Sequence, residues 1–188
     1  MMTNKKNEIK PWEEVSREVM FEKFGRGIEK VIFRLQNGEE QDYYIKKENN
    51  VVAIVALTEN NEIILTKQFR PGPKKVLLEL PGGYIDKNEK PEQAGARELL
   101  EETGYTGDAQ FVTSLVDCGY SVREKNCVVI TNCKKVAGQN LDGTEFINVE
   151  LISLKEFREL LRSGQNTDIE IGYLGLDYLG LLGDGIDK

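Results

Sequence analysis

Glu98, Glu101 and Glu102 stand three and four residues apart, so on a helix their carboxylates share one face. Like charges at these spacings repel by about a few tenths of a kcal/mol per pair. A divalent cation removes that repulsion, and carboxylate oxygens completed by water and phosphate are what Mg²⁺ or Mn²⁺ prefers. The surrounding residues predict the helix over 91–103. Pro91 suits its first position, where no backbone N–H is needed, and Glu92 follows where the helix dipole favours negative charge. Gly104 supplies a left-handed stop. Leu99 and Leu100 project elsewhere and can anchor the helix to a core. Three glutamates alone would read as a solvated acidic face.

Further residues at fixed offsets turn that reading into a site. Gly82 and Gly83 follow the apolar run from Val76 to Pro81, where paired glycines let backbone approach a metal or phosphate closely. From Gly83 to Tyr105 the chain follows the pattern G-x5-E-x7-R-E-U-x-E-E-x-G-U, U being apolar. Gly83, Glu89, Arg97, Glu98, Leu99, Glu101, Glu102 and Gly104 fit it; Tyr105 is aromatic where an aliphatic residue is usual. At residue frequencies of about 5–10 %, such a match arises by chance on the order of once in 10^8 starting points.

These residues resemble the Nudix box, the signature of enzymes that hydrolyse a nucleoside diphosphate linked to another group. The resemblance covers about residues 50–182 and implies an α/β fold, an α/β/α sandwich around a mixed sheet. It also implies Mg²⁺, with Mn²⁺ as substitute, held by Glu98 and Glu102, then Glu101, with the carbonyl of Gly82 as a further ligand. Arg97 would hold Glu89 and Glu101 in place rather than touch substrate. Water would attack one phosphorus of a P–O–P bridge.

The stretch Lys67-Gln68-Phe69-Arg70, followed by Glu79-Leu80-Pro81-Gly82-Gly83, is similar to the ADP-ribose and nucleotide-sugar pyrophosphatase branch. Members of that branch carry a small sheet ahead of the catalytic domain, often exchanged across a homodimer. Arg70 becomes a candidate for bidentate phosphate contact and Glu79 its neighbour in the substrate site. The general base of this branch lies in a loop well after the box, which points to Glu145 with Asp142 in reserve. Trp12 could stack a nucleobase or anchor a dimer interface. No proline follows Pro91, and Tyr120 in Cys118-Gly119-Tyr120-Ser121 resembles the dinucleoside polyphosphate hydrolases of the family. That substrate class, and GDP-mannose, therefore stay open beside ADP-ribose. The undamaged carboxylate set speaks against a non-catalytic binding module.

The elements that must position these groups are legible in outline. Short strand-like pieces at 18–24, 27–35 and 41–47, punctuated by Gly25 and Asn37-Gly38, predict a small antiparallel sheet over residues 1–48. A catalytic domain over 49–188 follows. Val51–Leu57 is continuously apolar, as a buried central strand is, and 62–70 reads as its hairpin partner. Strands are expected at 111–116, 127–131 and 146–151, with a capping box at Ser153 and Glu156 opening a helix to about Arg162. Residues 168–182 are apolar, glycine-rich and helix-like.

Composition bounds the partners. A net charge of −7 without a basic patch argues against nucleic acid, yet suits a pyrophosphate substrate once a cation supplies local positive charge. No apolar run is long enough to span a bilayer, and the first eight residues lack the apolar centre of a secretory leader, so a cytoplasmic location is expected. Cys118, Cys127 and Cys133, odd in number and without a C-x-x-C pair, are expected as small buried hydrophobes. With no histidine in the chain, a general base must be a carboxylate, a lysine, a tyrosine or a metal-bound hydroxide.

Overall fold

In the computed structural model, residues 8–183 are described. The leader argument falls on residues that, but for Glu8, lie outside that range. The backbone divides into two compact units, one comprising the chain to Asn49 together with Val116–Arg123, the other Asn50–Leu115 and the chain from Glu124 onward.

The first unit is an antiparallel sheet in the order β1 (Glu13–Lys23), β2 (Arg26–Arg34), β3 (Glu40–Glu48). The turn at Asn37-Gly38 closes the second hairpin, with Gly38 at φ 85° and the Asn37 side chain accepting the Glu39 N–H at 3.0 Å. Val31 and Glu29 of β2 are buried, and Glu29 meets Arg17 of β1 and Lys47 of β3. The returning segment is laced to β3: Lys46 N donates to Tyr120 O at 2.8 Å and Val122 N to Lys46 O at 3.0 Å. Arg123 then pairs with Glu48 and Asp117, each at 3.1 Å. Nothing local in 116–123 announces this attachment, because pairing with a strand some 75 residues earlier is a tertiary event.

In the second unit β4 (Val51–Thr58), β5 (Glu62–Arg70), β6 (Lys75–Glu79), β7 (Gly82–Tyr84), β8 (Tyr105–Val116), β9 (Glu124–Lys135) and β10 (Asn148–Ser153) form one sheet. Its main path runs β10-β5-β4-β9-β8, with β6 beside β5 and β7 beside β4. β4 and β9 are parallel while β5 is antiparallel to β4, β6 and β10, so the sheet is mixed.

Side chains alternate across a strand with period two, and both faces of β4, β5 and β9 are covered. Val52, Ile54 and Ala56 of β4 join Ile64, Val128 and Ile130 on one face, where Ala94 and Leu99 of α1 (Pro91–Thr103) complete the cluster. Ala53, Val55 and Leu57 turn the other way, with Ile63, Leu65 and Val129. They meet Phe157 and Leu161 of α2 (Leu154–Ser163) and Ile171 and Leu176 of α3 (Ile169–Tyr178). This is an α/β/α sandwich, as the family resemblance implied, and double coverage explains the continuous apolar runs. Ser153 and Glu156 form the expected capping box. Cys127 and Cys133 are buried as expected, whereas Cys118 is exposed, since its loop lies off the core. Among the described residues no helix is long and apolar enough to cross a membrane.

Leu99 is fully buried and ties the site-bearing helix to the sheet, whereas Leu100 is 38 % exposed. Leu99→Ala is therefore expected to lower the unfolding free energy by about 2–5 kcal/mol, measured by urea denaturation, while Leu100→Ala shifts it far less.

Candidate active site

Helix α1 begins and ends where its residues dictate. Lys90 N donates to the Gln93 side chain at 3.0 Å, and Pro91 takes the first helical position. At the other end Gly104 adopts φ 76° and its N–H bonds to Leu100 O at 2.9 Å. The helix thus presents Glu98 and Glu102 beside β7, the strand made by Gly82–Tyr84.

The carboxylates are held in different ways. Glu102 is 6 % exposed, and its Oε2 accepts the Gly82 N–H at 2.9 Å. Glu98 rests over Gly83 so closely that a Cβ there would lie 2.4 Å from its carboxylate. Glu101 is 41 % exposed and bonds to Arg97 at 3.2 Å. Arg97 gathers the acidic loop: Nε and Nη2 reach the two oxygens of Glu89 at 3.0 Å, Nη2 also reaches Tyr84 O, and Nη1 reaches Glu98 at 2.8 Å. The fork of Arg97 therefore holds both Glu89 and Glu101. Its hydrogen bonds keep the Glu89 carboxyl below the usual carboxylate range.

Burial dominates the electrostatics of the other pair. Desolvation raises Glu98, against the opposing pull of Arg97, with the charges of Glu101 and Glu145 adding to it. Desolvation pushes Glu102 up to about 8; the Gly82 N–H and Arg70 oppose this, and Glu98 and Glu145 reinforce it. Two partly desolvated carboxyls, one of them raised further by the charge of the other, suit a divalent cation. Among the described residues no three or more such side chains already converge as a closed cage. An open carboxylate set suits a cation that keeps waters and binds substrate phosphate. The donors fit a hard divalent cation.

Glu145 lies outside α1, yet its charge bears on both Glu98 and Glu102. Its Oε2 accepts the Asp142 N–H at 3.0 Å and its own N–H returns to Asp142 O at 2.9 Å, so Asp142 steadies it through backbone. Glu79 is 1 % exposed: one oxygen takes Arg70 Nε and the other the Thr167 hydroxyl, both at 2.6 Å. It is buried behind Arg70, whose side chain stays 42 % exposed and whose charge reaches Glu102. Thr167, some 88 residues beyond Glu79, carries no local signal of this role.

Trp12 and Tyr120 lie in the other unit. Tyr43 stands between them, 5.5 Å from Trp12 and 6.4 Å from Tyr120 by ring centroids, the latter pair stacked at 20°. Phe33 packs edge-on to Trp12 at 6.2 Å. Tyr43 had no motif around it and was found only by the sheet register that sets it opposite Val31.

Two outcomes test this geometry. A carboxyl whose folded pKa is raised keeps a proton that the unfolded chain releases, so the fold loses stability as pH rises from about 4.5 to about 8. The melting temperature of chelator-treated protein should fall across that window, and Glu102→Gln, which copies the neutral form, should flatten the fall. Gly83→Ala should keep the fold by circular dichroism but displace the Glu98 carboxylate, weakening Mn²⁺ binding by about tenfold or more in a titration followed by electron paramagnetic resonance.

Comparison with known proteins agrees with the architecture. The family model described as NUDIX domain matches residues 47–171. An ADP-ribose pyrophosphatase of Bacillus subtilis (strain 168) is 30 % identical over 150 residues, covering 78 % of this chain and 80 % of that protein. An ADP-ribose pyrophosphatase of Saccharomyces cerevisiae is 31 % identical over 151 residues, 70 % of this chain and 65 % of that protein. Among solved structures, an ADP compounds hydrolase superposes with a TM-score of 0.81 at 22 % identity, over 95 % of this chain and 99 % of that one, a likeness of fold. With its box intact on α1 and its sandwich matched throughout, the chain belongs to the Nudix family of hydrolases, which generally employ divalent metal ions.

Proposed function

We propose that this Nudix hydrolase is Mg²⁺-dependent and cleaves the pyrophosphate bridge of ADP-ribose or a related nucleotide sugar, giving a nucleoside monophosphate and a sugar phosphate. The observation that carries the proposal is the pair Glu98 and Glu102 set against Gly83 and Gly82, with the charge of Glu145 bearing on both and that of Arg70 on Glu102. Two relatives aligned over most of the chain are named ADP-ribose pyrophosphatase, which supports the same substrate class.

Glu98 and Glu102, with Glu101 and the Gly82 carbonyl, would hold the cation, which when bound neutralises phosphate oxygens and lowers the pKa of water. Arg70, braced from behind by Glu79, offers its guanidinium to a non-bridging phosphate oxygen. Glu145 takes the proton from the attacking water as its oxygen bonds to phosphorus and the bridging P–O bond breaks. Arg97 touches no substrate in this scheme; it orients Glu98 and the loop of Glu89. The chain has no histidine, which supports a carboxylate such as Glu145 in this role.

The exposed aromatic faces of Trp12 and Tyr120, 44 % and 58 % accessible, suit stacking on a nucleobase. Tyr120 also keeps dinucleoside polyphosphates as the second reading. The first unit further suits a homodimer: every residue of β1 is exposed, including Val19, Met20 and Phe21 at 48–59 %. The free cysteines suit a reducing cytoplasm.

Monophosphate release from ADP-ribose, GDP-mannose and diadenosine polyphosphates, measured side by side with and without Mg²⁺, separates these readings. ADP-ribose is expected to be preferred, with Glu102→Gln lowering kcat by about 10^3-fold or more; preference for the diadenosine compounds would select the second reading. Sedimentation velocity should show a dimer that Phe21→Glu weakens.

A further inference from the structure

A helix leaves its last carbonyls without intrahelical partners, and they normally turn to water or a cap. At the end of α1 they are taken instead by a distant loop. Asn140 N donates to Glu101 O at 2.8 Å, and Val136 N and Ala137 N donate to Gly104 O at 2.9 and 3.2 Å. The Gln139 side chain does more, because its single amide nitrogen serves two elements. Nε2 donates to Glu102 O at 2.7 Å and to Ile147 O at 3.0 Å.

One of those carbonyls belongs to a residue of the site, and the other ends the loop of Glu145. Glu102 is the buried carboxylate of α1, and Ile147, 5 % exposed, leads directly into β10. Between Gln139 and Ile147 runs the loop that carries Glu145. Its residues Asp142–Phe146 are all exposed, so packing does little to place it. Within it, Asp142 and Glu145 bond to one another, which shapes the turn but does not attach it to anything else. The attachment comes at the neck. One side chain closes the loop and fastens the closure to the backbone of Glu102, on whose carboxylate the charge of Glu145 bears.

We infer that Gln139 is a positioning residue, a staple that sets Glu145 at its working distance from Glu98 and Glu102. The inference rests on the assignment of Glu145 as the base in the proposed hydrolysis. Gln139 touches neither substrate nor cation. Its two N–H groups match the two carbonyls, and a side chain without donors cannot replace it. Gln139 is itself exposed, so its substitution leaves both apolar cores intact.

The test is a double-mutant cycle of Gln139→Met and Glu145→Gln on the full chain, with loop order read separately. Gln139→Met should lower kcat about tenfold or more while KM and the Mn²⁺ dissociation constant stay within about twofold, since a misplaced group loses rate before it loses binding. In the Glu145→Gln background the same substitution should change kcat by less than about twofold. Hydrogen–deuterium exchange should accelerate over 140–147 and not over the body of α1. Equal losses in both backgrounds, a change confined to KM or metal binding, or unchanged exchange over 140–147 would each overturn the inference.

If the wild-type protein hydrolyses none of the nucleotides tried, the functional assignment has failed. The exchange measurement then decides alone whether the staple exists. Should Gln139→Met fold poorly, Gln139→Asn, one methylene too short to reach both carbonyls, takes its place with the same expected outcomes.

Discussion

Glu102 is carried into a nearly dry position by a helix that has no freedom to withdraw it. Leu99 and Ala94 on the same helix are fully buried against β4, β5 and β9, and Gly104 ends the helix within two residues of the carboxylate. The carboxyl is then compressed between its own burial and the charge of Glu98, with one backbone N–H, from Gly82, as its direct partner. Hydrophobic packing on one face of α1 thus sustains an electrostatic misfit on the other. A nearby cation would relieve it.

Arginine does two different tasks around this pair. Arg97, using three nitrogens, organises acidic groups and a carbonyl into one network, so the loop before α1 is held by charge rather than by packing. Arg70 is gripped at one nitrogen by a carboxylate that is itself buried and bonded to Thr167. An arginine anchored at its inner edge keeps less conformational freedom at its outer edge. Both arrangements place a flexible side chain by spending hydrogen bonds formed at folding.

The aromatic row of Trp12, Tyr43 and Tyr120 shows a different economy. Tyr120 joins the N-terminal sheet because the segment around it pairs with β3, and the ion pairs of Arg123 with Glu48 and Asp117 reinforce that attachment. Residues 116–123 therefore leave the catalytic sheet after β8 and return to it at β9, having contributed to another unit.

Much of this was legible in the chain alone. Helix α1 lies where Pro91 and Gly104 said it would, the strand at 62–70 has the expected limits, and Ser153 with Glu156 opens α2, because these signals act within a few residues. The carboxylate face was equally visible, since helical spacing alone aligns Glu98 with Glu102. The strands at 111–116 and 127–131 proved to run longer, over Tyr105–Val116 and Glu124–Lys135, as pairing extends a strand past its apolar centre. What only the tertiary structure decided is which distant groups meet. The hydroxyl of Thr167 on Glu79, the place of Tyr120 beside Tyr43 and the hydrogen bond of Gln139 to Glu102 O all join residues far apart in sequence. Local propensity carries no record of such contacts, because they exist only after the sheet has set its register and the helices have covered its faces.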